Sequence, residues 1–151
     1  MYKRQELPDE LKTQFSSRGY YGTLQHNAKA VYQHYMGWFD GNPASLHPIP
    51  TVESGPKYMQ LMGGIDTVVK QAQIYYEKGE YQWVAELLNH AVFTKPDHEG
   101  AKALLAKTYD QRGYQAESGP WRSEYLTAAH ELRHGITVPK MRTADLGGVL
   151  L

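Results

Sequence analysis

The sequence predicts an all-α protein, a helical bundle or superhelix with tetratricopeptide-like helix pairs, and three observations carry that expectation. No run of alternating apolar and polar residues is long enough to build a sheet. Apolar positions recur instead at helical spacing, as in Trp83, Leu87, Leu88, Ala91 and Val92. Ala72, Tyr75 and Gly79 also return 34 residues later as Ala106, Tyr109 and Gly113, the period of tetratricopeptide helix pairs. In such a pair the small residue lets two helices approach, the aromatic fills the layer, and glycine ends the first helix.

Taken in order, Pro8, Asp9 and Glu10 open a short helix to about Gln14. His26 or Asn27 opens a second, with Val31, Tyr35 and Trp38 on one side and its end near Gly41. Three prolines between Asn42 and Pro50 make that stretch a loop. Val52 to Met62 form the next helix, stopped by Gly63 and Gly64, and Asp66 caps another through Glu77. The stripe beginning at Trp83 is halted by Lys95, Pro96 and Asp97. Asp97 then caps a helix whose buried face is Ala101, Leu104, Leu105 and Tyr109. Pro120 suits a first helical turn and leads a helix from Trp121 to about His134. Past Gly135 the helical period is lost. Pro139, Gly147 and Gly148 mark residues 136–151 as a linker or terminal arm, whose apolar end (Leu146, Val149, Leu150, Leu151) needs somewhere to dock.

Bulk properties narrow the function. The 151 residues suffice for one domain with a real core, and 16 basic residues balance 16 acidic ones. A neutral chain lacks the basic surface that recruits nucleic acid or an anionic membrane. No apolar run approaches the roughly 18 residues of a membrane span, and no apolar signal core follows Met1. Without cysteine there is neither disulfide nor thiolate chemistry, and the compartment is not legible.

The densest chemistry lies between Arg18 and Pro43. Gly19, Gly22, Gly37 and Gly41 sit among Tyr20, Tyr21, Tyr32, Tyr35 and Trp38, beside Arg18, His26 and Asn27. Glycines there permit close backbone approach or positive φ, while Tyr, Arg, His and Asn offer donors to a polar or anionic ligand. The block reads as one wall of a pocket. This stretch resembles the start of the dimerisation region of zinc-dependent alkyl sulfatases in the metallo-β-lactamase superfamily. Leu61-Met62-Gly63-Gly64, Lys78-Gly79-Glu80-Tyr81-Gln82-Trp83, Ala85-Glu86-Leu87-Leu88-Asn89-His90 and the run from Gly113 through Glu117-Ser118-Gly119-Pro120-Trp121 to Arg122 resemble the same family. The resemblance runs from about Leu7 to about Gly135.

The resemblance implies a larger enzyme that hydrolyses alkyl sulfate esters to alcohol and sulfate at a dinuclear zinc site. Its H-x-H-x-D-H metal motif lies on a preceding catalytic domain and a sterol-carrier-like domain follows. No two histidines here are two residues apart, so that motif is missing, and no metal ligand and no cofactor are expected in this chain. Residues 1–25 are then the remnant of the junction with the catalytic domain, and 26–135 a homodimerising helical domain without activity of its own. The full-length enzyme is periplasmic or secreted on one reading, although no signal is legible here. The resemblance makes His26 the catalytic residue that reaches the sulfate pocket, donating a hydrogen bond to a sulfate oxygen or a proton to the leaving alkoxide. Arg18, Tyr21 and Asn27 are the substrate-binding candidates.

Plainer readings stand beside these. His26 or Asn27 is equally a helix cap, Arg18 equally a loop arginine paired with a carboxylate, and Tyr20 and Tyr21 equally plugs at the domain junction. His130-Glu131-Leu132-Arg133-His134 fits H-E-x-x-H. Thr137 and Lys140 nevertheless stand where the extended zinc-protease motif needs Gly and His, and Gly135 ends the helix at once. A free-standing helical-repeat adaptor that binds peptide is the competing class, with only one clear repeat pair against the three or more it needs.

Overall fold

The structure is a computed structural model that describes residues 6–136, and every regular element among them is helical. Seven helices follow in order: α1 (Asp9–Lys12), α2 (Leu24–Met36), α3 (Thr51–Leu61), α4 (Ile65–Glu77), α5 (Tyr81–Thr94), α6 (Glu99–Gln115) and α7 (Gly119–His134). Single 3₁₀ turns at Phe15–Ser17 and Pro43–Ser45 lie in the connections. The apolar end from Leu146 onward, with Pro139, Gly147 and Gly148, lies outside the described residues.

Helix α5 is the axis. It buries Val84, Ala85, Leu87, Leu88 and Ala91, more than any one-sided surface helix would, because α3, α4 and α6 all pack against it. Met59 of α3, Val68 and Ala72 of α4, and Ala101, Leu104 and Leu105 of α6 complete that core. Trp83, expected on the apolar stripe, stays 42% exposed and sets its ring edge against Tyr75. Helix α7 packs along α6 and fixes the far side of the domain.

Several helix starts differ from expectation, and in two of them the cap is the residue whose side chain reaches a free N–H group. Thr23, not His26 or Asn27, caps α2 by accepting the His26 N–H. Gly64 rather than Asp66 precedes α4, and the Asp66 carboxylate meets His98 at 3.2 Å. His98 rather than Asp97 caps α6, its Nδ1 accepting from the Ala101 N–H. Helix α2 stops at Met36, where Gly37 takes φ +80°, so Trp38 lies beyond it.

The 34-residue repeat separates into two parts. Ala72 and Ala106 are both fully buried, and Tyr75 and Tyr109 both pack against the core. The glycines diverge. Gly79 ends α4 at φ +79°, whereas Gly113 lies buried inside α6, which runs on to Gln115. A Cβ at Gly113 would sit 2.8 Å from Leu126 Cδ2 and 2.9 Å from its Cγ, so this glycine lets α7 close on α6. A regular tetratricopeptide pairing is therefore not established, although the all-α class is. Gly113→Val is expected to cost about 1–3 kcal/mol by overpacking. A lower urea midpoint at unchanged slope would show it, and an unshifted midpoint would refute the contact.

Candidate functional site

Polar lacing joins two segments that are nearly 100 residues apart. From Arg18 to Thr23 the chain forms a bent, non-helical strap, and it lies across the turn between α6 and α7. Arg18 Nε and Nη2 each donate to Glu117 at 2.9 Å, one to each carboxylate oxygen, and the Gly19 N–H adds a third bond at 2.8 Å. This is the two-pronged geometry in which arginine and a carboxylate match best. The hydrogen bonds from Arg18, with help from the Gly19 N–H, hold the Glu117 carboxyl below its ordinary value and raise Arg18.

Further along, the Gly119 N–H donates to the Tyr20 carbonyl at 2.7 Å, and the Ser118 hydroxyl donates to the Tyr21 carbonyl. Ser118 is buried and also caps α7, accepting from the Trp121 N–H, so one hydroxyl both starts the helix and fastens the strap. Burial of that hydroxyl is tolerable because both its roles are satisfied. Trp121, two residues into α7, donates its indole N–H to His26 Nδ1 at 3.0 Å. The two rings meet edge-on.

The predicted site residues fall on this strap and on the first turn of α2. His26 is exposed, with its backbone N–H on Thr23 Oγ1 at 3.1 Å and its ring on Trp121. Asn27 is the next residue of the helix, and its amide lies against Gly22, where a Cβ would come within 2.6 Å of Oδ1 and push that side chain aside. Tyr21 is bound through its backbone and leaves its side chain exposed. Arg18 does have a carboxylate partner, Glu117, and its guanidinium also lies 5.7 Å from the Tyr20 ring centre.

Behind the strap is a small cavity of about 180 Å³, lined by Thr23, Arg112, Gln115, Trp121 and Tyr125 among others. Arg112 donates to the Tyr125 hydroxyl at 3.2 Å, while its Nε is buried without a hydrogen-bond partner among the described residues. The local pattern of the segment from Gly113 to Arg122 marks a helix start at Pro120 but does not join Glu117, Ser118 or Trp121 to the site. Glu117, Ser118 and Trp121 are its anchors. The available signal was the clustering of Glu, Ser, Gly, Pro and Trp at a helix start, which is the composition of a polar docking point.

His130 and His134 lie on one face of α7 with ring centres 4.5 Å apart. Among the described residues no group of three or more His, Cys, Asp or Glu side chains is placed to hold a metal ion. Arg133, between them in sequence, is paired with Asp110. Among the same residues no helix is long and apolar enough to cross a membrane.

An all-α domain that fastens a polar strap across the α6–α7 turn, with a histidine on the helix that follows the strap, is thus the class that the fold and site define. Residues 1–135 match the family model described as alkyl sulfatase dimerisation. The chain belongs to the alkyl sulfatase dimerisation family. It is 53% identical over 131 residues to a linear primary-alkylsulfatase of Pseudomonas sp., a match covering 87% of this chain and 19% of that one. It is 49% identical over 137 residues to an alkyl/aryl-sulfatase of Saccharomyces cerevisiae, covering 91% of this chain and 21% of the relative. Among solved structures, the stereoselective inverting sec-alkylsulfatase Pisa1 from Pseudomonas sp. superposes with a TM-score of 0.85 at 47% identity, over 90% of this chain and 22% of that one. The chain therefore spans about a fifth of the length of the curated relatives it matches.

Proposed function

We propose that this chain is the dimerising and sulfate-pocket-completing part of a zinc-dependent alkyl sulfatase, which splits alkyl sulfate esters into alcohol and sulfate. The observation that carries the pocket role is the hold on His26. A side chain that is exposed, yet fixed by an indole donor and anchored beside a laced strap, is preorganised for a ligand from outside the domain. In this reading His26 donates to a sulfate oxygen or to the leaving oxygen, with Tyr21 and Asn27 beside it. Arg18 is already engaged by Glu117, so its proposed contribution to substrate is through positioning the strap.

The residues described do not themselves form a zinc site. In this reading the zinc ligands belong to a metallo-β-lactamase-like catalytic domain outside this chain, and the chain alone is expected to show no sulfatase activity. Membership of the dimerisation family weighs against a free-standing peptide adaptor.

The proposed partner is a second copy, and α2 is the proposed contact. This helix of 13 residues buries none of them in its own chain, and Val31, Tyr35 and Met36 are 57%, 77% and 65% exposed. Isolated helices of about 12–15 residues are marginal in water, so an apolar face of this kind calls for cover. Trp38, Leu46 and Ile49 in the segment after α2 are exposed as well. Light scattering is expected to give twice the chain mass for the natural sequence, and the single-chain mass for Val31→Asp combined with Tyr35→Asp, with helical circular dichroism retained. A double variant that still dimerises would move the interface elsewhere.

A further inference from the structure

Trp121 is more than a packing residue. Its indole N–H is a donor with no acceptor capacity, so the imidazole nitrogen 3.0 Å away, His26 Nδ1, must offer its lone pair. In the neutral ring the proton then resides on Nε2. The opposite tautomer would set two N–H groups against each other across that distance, and so would the imidazolium. The geometry points to Trp121 as a positioning residue that locks His26 as a neutral hydrogen-bond donor at Nε2. His26 would act as a fixed donor to an anionic oxygen and not as a proton source.

Two further contacts support the lock. Thr23 holds the His26 backbone N–H, so the main chain cannot turn the ring away. Ser118 holds the Trp121 backbone N–H and the Tyr21 carbonyl at once, so the indole and the strap share one anchor. The residue is therefore held at its backbone N–H by the α2 cap and at ring Nδ1 by α7, which leaves Nε2 as the end that can donate. A neutral imidazole that gave up its Nε2 proton would become an imidazolate, a costly anion. The same ring used as a polarising donor needs no proton transfer, a device known where a helix terminus keeps a histidine neutral. This narrows the role of His26, and it rests on the reading of His26 as a group that faces sulfate.

The test uses the whole 151-residue chain labelled with ¹⁵N, at about pH 8 where an ordinary imidazole is neutral. Nitrogen shifts are expected to show a single His26 tautomer, protonated at Nε2, with a coupling across the hydrogen bond to the Trp121 indole nitrogen. In Trp121→Phe the ring should relax to a mixture of tautomers while the rest of the amide spectrum is unchanged. Should that variant fold poorly, a benzothiophene amino acid at position 121 keeps the indole shape without the N–H and should give the same mixture. A mixed tautomer in the natural chain, or a single Nε2 tautomer surviving without the indole N–H, would overturn the lock. The sulfate-facing reading stands or falls separately, on whether removing the His26 ring slows ester hydrolysis in a complete enzyme.

Discussion

His26→Ala is expected to lower kcat for alkyl sulfate hydrolysis by about 10²–10³-fold when residues 7–135 replace the matched region of the Pseudomonas linear primary-alkylsulfatase. That loss is the usual size for removing one preorganised donor from an oxyanion-like transition state. The exchange is a fair vehicle because the two segments are 53% identical over 131 residues. KM should change little, since a donor that strengthens its bond as negative charge develops acts chiefly on the transition state. The His26 side chain is exposed, so stability should hardly move and the rate is the readout. A variant with undiminished kcat would remove His26 from the chemistry and leave the strap as a structural clasp.

Leu88→Ala should be the most damaging of the core substitutions, at about 2–5 kcal/mol. Leu88 is completely buried at the middle of α5, the helix on which α3, α4 and α6 converge. Truncation there removes dispersion contacts with several helices at once, and the surrounding chain cannot collapse into the void without moving more than one of them. Domains of this size are held by about 5–15 kcal/mol, so the loss is a large share of the total. Urea unfolding followed by circular dichroism reads it directly. A cost under ~1 kcal/mol would mean that α5 is not the packed centre described here.

How much of this was legible beforehand differs by residue. The burial of Ala72, Ala106, Leu88 and Leu105 follows from helical spacing alone, because a residue's side of a helix is set by its distance along the chain. Pro120 and Gly79 likewise announced a helix start and a helix end through their own backbone preferences. The caps were harder. Thr23, His98 and Ser118 all do the capping, whereas the local sequence points to His26 or Asn27 for α2 and to Asp97 for α6; geometry decides whose side chain reaches the N–H. Trp83 has the spacing of the buried stripe but sits in the first turn of α5, where its ring edge meets Tyr75 and the remainder stays exposed; Val84 and Ala85 are buried beside it.

By itself, the sequence determined the all-α class, the approximate helix limits and the concentration of donors between Arg18 and Asn27, since each of these depends on neighbours within a few residues. Tertiary structure alone decided that Glu117 takes Arg18, that Trp121 takes His26, that Gly113 is a contact and not a stop, and that α2 buries nothing of its own. The physical reason is separation along the chain. Hydrogen bonds spanning 95 to 99 residues depend on where α6 and α7 deliver their junction, and no local period or propensity encodes that placement.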